Sequence, residues 1–244
     1  MSKRINVAFS GLMLAGKDHV ARMVNAEIRG FADPIYELAE HFFGTRDKSV
    51  PGVRRGMQEI GQWGWGCIDE QQGYIWSMDR ANTVHLVRKG GALMTKNFGW
   101  LNWQEYGTRT DFWVNALLVR IGLRPLPSHL DLEKHPDLPD RILIKTDKPI
   151  IAVTNARFSH EMEPLRDAGF LHYHVQCSEE TRRERMAAIG YVPNEKEAGD
   201  RSEWMAQEFN RNCSHDRVIW NDHRPMPEGK RFLSVGDFRA LLSV

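Results

Sequence analysis

A chain of 244 residues with a net charge of +1 has the length for one α/β domain with insertions, and its balanced charge points to neither a nucleic-acid groove nor a membrane patch. Apolar residues make up 41% of the chain and charged residues 27%, which is typical of a water-soluble globular protein, and no apolar run could span a bilayer. The three cysteines lack paired spacing and the N-terminus lacks a signal-peptide pattern, so we expect a reducing, cytoplasmic compartment.

The first elements are an apolar strand and an amphipathic helix on either side of a glycine-containing loop. Residues 5–9 form a short apolar run, which is typical of a buried parallel strand. After the loop, apolar residues recur every four positions as far as Ile28, which predicts a helix. A second helix follows, with Asp33 as its predicted cap, Pro34 at its first position and Gly44 at its end.

The middle of the chain is less regular. Residues 51–61 have a helical pattern, whereas residues 62–107 hold many tryptophans and glycines without a clean period, and we interpret them as an irregular insertion. Residues 110–122 predict a strong helix, capped by Thr110 or Asp111 and stopped at Gly122. The five prolines in residues 124–149 predict a loop.

The C-terminal part alternates between strand and helix patterns. Ser178 followed by two glutamates predicts a capped helix start, because acidic residues are favourable in a first turn. Strands that alternate with helices imply a mostly parallel sheet with right-handed crossovers. The predicted elements are a strand at 149–154, a short helix up to 169, a strand at 170–177, a helix from 178 to about 190, a strand at 216–222 and a helix at 235–244.

A phosphate-loop motif lies between the first strand and the first helix. Gly11 and Gly16-Lys17 fit the spacing G-x-x-x-x-G-K, in which main-chain N–H groups surround a phosphate and the lysine reaches the β- and γ-phosphates. Asp18 stands where Ser or Thr is usual; its carboxylate is either an Mg²⁺ ligand or a simple helix-start residue. The predicted ATP-binding residues are Gly11, Leu14, Ala15, Gly16, Lys17, Asp18, His19 and Arg182, with Asp18 as the predicted metal ligand.

Six segments, in this order along the chain, carry a family resemblance: AGKD (15–18), FADPIYELA (31–39), RTDFWVNAL (109–117), VTNARFSHE (153–161), RSEW (201–204) and DRVIWND (216–222). Together they resemble the phage-type deoxynucleoside monophosphate kinases of the P-loop kinase superfamily. One departure is Asn155, where the family's strand usually ends in an Asp, so a negative charge is missing there. Residues 62–107 and 122–148 match no segment of that family.

The resemblance implies a three-layer P-loop kinase fold in a single domain, with a mostly parallel central sheet. It also implies transfer of the γ-phosphoryl group of ATP to a deoxynucleoside 5′-monophosphate with Mg²⁺, without a nucleic-acid polymer or a membrane as partner. Family members are often dimers, so a homodimer is an expectation of the resemblance. The predicted division is a core of 1–61, 108–122, 149–177 and 200–244, an acceptor-side insertion at 62–107, a loop excursion at 123–148 and a lid at 178–199.

Phosphoryl transfer depends on positioning and charge neutralisation, so the cationic side chains are the main candidates. The predicted catalytic residues are Lys17, Arg157, Arg182 and Arg185. Arginines 182, 183 and 185 are either lid residues over ATP or partners of nearby glutamates on an exposed helix face. Arg157 follows a central strand at its carboxyl end, where open α/β sheets bind ligands.

The acceptor side is predicted from a basic pair and from aromatic residues. Arg54 and Arg55 with Gln58 are placed as clamps for the acceptor phosphate, the alternative being an exposed basic face. Aromatic rings stack on nucleobases, and a bulky ring against the 2′ carbon selects deoxyribose. Trp113 is also a candidate for core packing. The predicted substrate-binding residues are Asp33, Tyr36, Arg54, Arg55, Gln58, Trp103, Tyr106, Trp113 and Arg157.

Two other functions stay open. G-K-D loops also occur in kinases that act on dephospho-coenzyme A or phosphomevalonate, although the paired arginines and the aromatic insertion favour a nucleotide acceptor. A nucleotide-binding regulator without transfer activity is the second alternative, and Asn155 is the feature that favours it. The intact Lys17 and the set of arginines count against a regulator.

Overall fold

The computed structural model describes residues 4–47, 50, 53, 57, 74–78, 83–88, 93–97, 112–126, 133–134, 136–156, 159–190 and 217–242. The chain divides into two compact units, the first made of Met1–Gly30 with Thr146–Val244 and the second of Phe31–Lys145. These boundaries differ from those of the predicted core, insertion and lid, and the prediction of a single kinase domain stays a prediction.

Strands and helices alternate in the N-terminal and C-terminal parts of the described chain. They are β1 (Ile5–Ser10), α1 (Lys17–Met23), β2 (Glu27–Arg29), α2 (Asp33–Phe43), β3 (Tyr74–Met78), β4 (Thr83–Arg88), β5 (Leu93–Asn97), α3 (Phe112–Arg120), α4 (Leu138–Ile142), β6 (Ile150–Val153), α5 (Ser159–Asp167), β7 (Leu171–Gln176), α6 (Glu179–Ala188), β8 (Val218–Trp220), β9 (Leu233–Ser234) and α7 (Val235–Leu242).

The first unit contains a six-stranded sheet whose strand pairs are all parallel, in the order β2-β6-β1-β7-β8-β9. Strand β1 pairs with β6 from Ile5 opposite Ile150, and with β7 from Val7 opposite Leu171. Strands β1, β6 and β8 are short, mostly apolar runs buried along most of their length, as parallel strands covered on both faces require. The fold is therefore α/β with an open parallel sheet, an arrangement compatible with three layers.

Strand β1 lies where the strand order reverses. The chain passes from β1 to β2 and β6 on one side, and then to β7, β8 and β9 on the other. In open α/β sheets, ligands bind outside the carboxyl ends of the strands at such a reversal. The loop that follows Ser10 leaves the sheet at this point.

Helices α1 and α7 contribute to one buried core of the first unit. Phe238 of α7 is fully buried, and its ring lies edge-on to Phe9 and Tyr173, with ring centroids 5.7 and 4.8 Å apart. Val20 of α1 and Ile219 of β8 are fully buried in the same cluster. The aromatic contacts of α7 therefore help to hold the C-terminal end of the chain in the core of this unit.

The second unit contains an antiparallel sheet in the order β3-β4-β5, together with helices α2, α3 and α4. Helices α2 and α3 are joined by an ion pair between Arg120 Nη2 and Glu37 Oε1 at 2.6 Å. Tyr36 of α2 packs against a small apolar cluster that includes Ala39 and Met57. Both Val53 and Met57 have helical conformation, in agreement with the helix predicted at 51–61.

Most predicted elements are confirmed, including four of the six strands of the parallel sheet (β1, β6, β7 and β8) and the helix that Ser178 caps. Ser178 Oγ accepts a hydrogen bond from the Thr181 amide at 3.2 Å. Helix α2 ends at Gly44 (φ 71°), and Gly122 (φ 75°) follows α3 in the same left-handed conformation. Glycine adopts this conformation without a steric penalty, which explains why both helix ends could be predicted.

Several predictions were wrong in detail. Helix α1 ends at Met23, and Ile28 belongs to β2, because Asn25 (φ 53°) turns the chain between them. Asp33 is the first residue of α2, whose cap position is Ala32. Within 62–107, predicted to be irregular, the structure has the three strands β3, β4 and β5, and within 124–149 it has α4.

None of the helices in the described part of the chain combines the length and the apolar character that crossing a bilayer requires.

Candidate functional site

The phosphate loop, residues 11–16, connects β1 to α1 and has three residues with positive φ: Gly11 (139°), Leu14 (62°) and Gly16 (92°). A Cβ atom on Gly11 would overlap the carbonyl oxygen of Val175, and one on Gly16 would overlap the carboxamide nitrogen of Asn221. Both glycines are therefore required by close packing as well as by backbone conformation. The motif that the sequence identified coincides with a loop that tolerates no side chain at these two positions.

Lys17 is the first residue of α1, and its ammonium group lies over the loop. Its Nζ donates hydrogen bonds to the carbonyl oxygens of Gly11 at 2.8 Å and of Leu12 at 3.0 Å. These contacts hold the positive charge beside the loop backbone. An ammonium group on a flexible side chain can exchange carbonyl oxygens for phosphate oxygens.

The loop borders a cleft of about 630 Å³ in the first unit. Three structural elements surround it: the loop with the first turn of α1, the carboxyl end of β6, and the C-terminal end of α6. Charged, polar and apolar side chains are all present on its walls. The described lining residues are Met13, Leu14, Gly16, Lys17, Asp18, His19, Thr154, Asn155, Arg185, Ala188 and Ile189.

Arg185 connects α6 to the phosphate loop. Its Nη1 donates to the carbonyl oxygen of Leu14 and its Nη2 to that of Asn221, both at 2.9 Å. The Asn221 side chain contacts the loop as well, donating from Nδ2 to the carbonyl oxygen of Ala15 at 2.8 Å. The loop is thus held by Asn221, which directly follows β8, and by Arg185 of α6, which places a guanidinium group on the wall of the cleft.

Asp222, at the end of β8, is the centre of a buried network with the start of α6. Its carboxylate accepts hydrogen bonds from the Ser178 amide at 2.6 Å, the Thr181 hydroxyl at 2.6 Å and the Arg224 amide at 3.0 Å. Burial alone would raise the pKa of Asp222, but the hydrogen bonds outweigh it and hold the pKa far below its usual range. The network fixes the start of α6, the helix that carries Arg185.

A second buried network lies directly before the phosphate loop. The Ser10 hydroxyl lies 2.7 Å from His172 Nε2 and 3.0 Å from His174 Nδ1. Burial lowers the pKa of both histidines to about 4, with additional positive charge from Arg166 and Arg217 beside His172, and from His172 and Lys17 beside His174. Both imidazoles are therefore neutral near pH 7.

The structure brings together most of the predicted ATP-binding residues. Leu14, Gly16, Lys17, Asp18 and His19 line the same cleft, and so does Arg185. Gly11 and the buried Ala15 complete the loop. Their contact with ATP stays a prediction, but residues that bind one ligand must lie around one cleft, and most of these residues do.

The other arginines of α6 have different surroundings. Arg182 pairs with Glu179, with Nη2 and Oε2 2.9 Å apart, and Arg183 Nε lies 3.5 Å from the same carboxylate. Neither residue is among the described residues of the cleft wall. Such pairs within one helix are what we expect if these arginines pair with nearby glutamates on an exposed helix face. A role of Arg182 at the phosphates stays a prediction.

The predicted acceptor residues are placed only in part. Tyr36 and the buried Trp113 lie in the second unit, where Tyr36 packs against an apolar cluster, and Asp33 begins α2. Their contact with a substrate stays a prediction. Outside the described residues lie Arg54, Arg55, Gln58, Trp103, Tyr106 and Arg157.

Sequence reasoning missed the residues that support the loop. Asn221 and Asp222 entered the prediction only as part of the resembling segment DRVIWND, and no role was predicted for His172 or His174. His172 and His174 are two positions apart on one strand, a spacing that places both on the same face. That spacing was the available signal, whereas nothing in the sequence pairs Asn221 with the loop.

Metal ligands are few at this site. Within the described ranges, no three His, Cys, Asp or Glu side chains come together as a metal-binding group. Asp18 is exposed on the cleft wall, and a single carboxylate fits Mg²⁺, which usually keeps waters and substrate phosphates as its other ligands.

The comparisons with protein families and with curated proteins do not identify a family for this chain. No protein-family model matches the chain, and no curated protein matches it.

Proposed function

We propose that this protein is an ATP-dependent deoxynucleoside monophosphate kinase with a three-layer P-loop kinase fold. The observation that supports this best is a loop with phosphate-loop spacing at the reversal point of an all-parallel sheet, with Lys17 and Arg185 on the wall of the adjoining cleft. Anionic ligands of α/β proteins bind at this position. A loop of main-chain amides beside two cationic side chains is suited to a polyphosphate.

The donor is held by the loop and by its cations. Lys17 lies within reach of the loop backbone and would neutralise the β- and γ-phosphates of ATP. Arg185 is fixed on the wall of the cleft through its bonds to Leu14 and Asn221. In the transfer, an oxygen of the acceptor's phosphate bonds to the γ-phosphorus, the bond from that phosphorus to the β–γ bridging oxygen breaks, and ADP leaves.

Asp18 would be the protein ligand of the magnesium ion that accompanies ATP. Its exposed carboxylate shares the cleft with Lys17, so it can contact an ion bound to the phosphates directly or through water. Bound there, Mg²⁺ supplies charge neutralisation of the phosphates. Asn155, on the β6 side of the same cleft, provides polar contact without a negative charge.

The acceptor is assigned from the sequence resemblance. Arg54, Arg55 and Gln58 would hold the monophosphate, Arg157 would lie near the transferred group, and an aromatic ring would stack on the base. The lid arginines would close over ATP and exclude water, which otherwise hydrolyses it. Neutral Asn155 favours one alternative, a nucleotide-binding regulator, since it lacks the charge of the family's usual Asp.

The decisive experiment is a coupled assay of ADP release with ATP and Mg²⁺. The acceptors are the common deoxynucleoside monophosphates, their ribonucleotide counterparts, dephospho-coenzyme A and phosphomevalonate. We expect acceptor-dependent release with one or more deoxynucleoside monophosphates. Release with dephospho-coenzyme A or phosphomevalonate alone would transfer the assignment to that kinase class, and ATP binding without release for any acceptor would support the regulator.

The role of Asp18 is tested by Asp18→Ala. If its carboxylate holds the metal, the variant needs more Mg²⁺ for half-maximal rate, by roughly 10-fold for one lost carboxylate contact. Asp237→Ala, which removes an exposed carboxylate of α7, is the matched control and should keep the wild-type Mg²⁺ profile. An unchanged profile in Asp18→Ala would identify Asp18 as a helix-start residue only.

A further inference from the structure

Asn221 contacts the phosphate loop from a buried position at the end of β8. Only 6% of the residue is exposed, and its amide donates to the carbonyl oxygen of Gln176 at 2.8 Å, continuing the pairing of β8 with β7. Its side-chain Nδ2 lies 2.8 Å from the Ala15 oxygen and 3.4 Å from the Gly16 oxygen. The described residues that line the cleft include Leu14 and Gly16 but not Asn221, so it contacts the loop away from the cleft.

This contact determines the direction of the peptide groups in the loop. In a planar trans peptide, the N–H of one residue points opposite to the C=O of the residue before it. Because Asn221 holds the Ala15 carbonyl on the buried side, the Gly16 N–H points the other way. Gly16 is part of the cleft wall, so its amide is available to a ligand there.

The same residue also connects the loop to α6. The Asn221 carbonyl oxygen accepts a hydrogen bond from Arg185 Nη2, while Arg185 Nη1 donates to Leu14. The guanidinium and the carboxamide together hold the carbonyls of two successive loop residues, Leu14 and Ala15. Asp222, the next residue, anchors the end of β8 to the start of α6 and so limits the movement of Asn221.

We propose that Asn221 is a positioning residue for polyphosphate binding: its carboxamide keeps the Ala15 carbonyl turned away from the cleft, so that the Gly16 amide faces the phosphates. The ligand in this inference rests on the proposed function. The side chain acts through the loop backbone and does not itself touch the nucleotide. Gly16 is needed for this contact, because a Cβ atom at position 16 would displace the Asn221 carboxamide.

The test measures binding of Mg²⁺–ATP, and of tripolyphosphate as a probe without a base, to full-length variants. Asn221→Ala removes the donor and should weaken both ligands about 10-fold, the effect of one lost hydrogen bond. Asn221→Asp keeps the shape but directs an oxygen at the Ala15 oxygen, and should weaken binding about 100-fold at neutral pH. Ile219→Val, a buried change in β8, the strand that ends just before Asn221, is the control for stability and should bind as the wild type does.

A pH series separates positioning from a general structural effect. Burial raises and the adjacent Arg185 guanidinium lowers the pKa of the carboxyl introduced by Asn221→Asp, and below that pKa its protonated oxygen can donate to Ala15 again. Binding by this variant, relative to the wild type at each pH, should therefore recover as the pH falls through the pKa of the introduced carboxyl, which is measured in the same variant by NMR titration. The loss in Asn221→Ala should be independent of pH.

The outcomes are distinct. Binding by both Asn221 variants as tight as that of Ile219→Val overturns the inference alone. Failure of the wild type to bind either probe overturns the proposed function and the inference with it. If Asn221→Asp does not fold, hydrogen exchange in Asn221→Ala decides: faster exchange than in the wild type at the amides of residues 14–17 supports the inference, and unchanged exchange overturns it.

Discussion

Two polar networks lie next to the phosphate loop, and they differ in charge: one is neutral and the other is anionic. The histidine network (Ser10, His172 and His174) is neutral near pH 7, because burial holds the pKa of both imidazoles at about 4. The aspartate network (Asp222 with Ser178, Thr181 and Arg224) is anionic, because its carboxylate pKa lies far below the usual range. Each network joins residues that are distant in the sequence.

The difference shows that burial keeps the two imidazoles neutral, whereas the donors around Asp222 outweigh the effect of burial and keep its carboxylate charged. Three N–H and O–H groups converge on Asp222, so its charged form is the better hydrogen-bond acceptor. The Ser10 hydroxyl can donate to one imidazole and accept from the other. Protonation of both imidazoles would leave the hydroxyl proton without an acceptor among these three residues.

Lys17→Ala tests the connection between the loop and the histidine network, and it should have the largest effect on activity. Removing the ammonium should lower the rate of phosphoryl transfer at least ~10²-fold while the protein stays folded. It should also raise the pKa of His174, because Lys17 is one of the positive charges that lower it. Activity is followed by ADP release and the histidine by NMR titration.

Lys145→Ala is the matched control for this change, since it removes an exposed lysine of the second unit. It should leave both the transfer rate and the His174 titration unchanged. Turnover near the wild-type rate in Lys17→Ala would contradict the kinase assignment. An unchanged His174 pKa would show that the two regions are not coupled electrostatically.

Asp222→Ala should have the largest effect on stability, because it leaves three partly buried donors without their acceptor. We expect a loss of about 3 kcal/mol in the free energy of unfolding, measured by urea denaturation. Asp237→Ala is the control: its carboxylate accepts similar bonds from the amide and hydroxyl of Ser234 but is exposed, so its loss should be smaller. Equal losses would show that the aspartate network gains nothing from burial.

The two networks should also lose their contributions in different pH ranges. The pKa of each histidine is lowered on folding, so the unfolded chain binds more protons and stability falls as the pH drops from 6.5 towards about 4. The loss is roughly 1 kcal/mol for each histidine at pH 5.5. The pKa of Asp222 is also lowered, so its contribution persists above 3.8 and is lost only below it.

His172→Gln combined with His174→Asn should remove the loss between pH 6.5 and pH 4. The two amides place a polar nitrogen or oxygen near the positions of His172 Nε2 and His174 Nδ1 without a titratable group. Unfolding is measured in denaturant across this pH range. His223→Gln, a change at an exposed histidine, should leave the loss in place. A wild type with equal stability at pH 7 and pH 4.5 would contradict the neutral assignment of the network.

Some features escaped prediction because their signals are weak or absent. Strand β2 has three residues and β9 has two, which is too short for a period to be recognised. Strands β3, β4 and β5 depend on pairing with one another, and strand formation follows such context more than intrinsic preference. Asp33 was predicted as the helix cap from its residue type. In the structure the cap position is Ala32, and Asp33 is the first residue of the helix.

The sequence by itself determined the elements whose causes are local: apolar runs that form parallel strands, Ser178 at a helix start, glycines at helix ends, and the spacing of the phosphate loop. Each of these depends on neighbouring residues and on backbone conformation. Only the tertiary structure decided which side chains support the loop. Ser10 and His172 are 162 positions apart, and Asn221 and Ala15 are 206 apart. Strand order brings such residues together, and no local pattern records it.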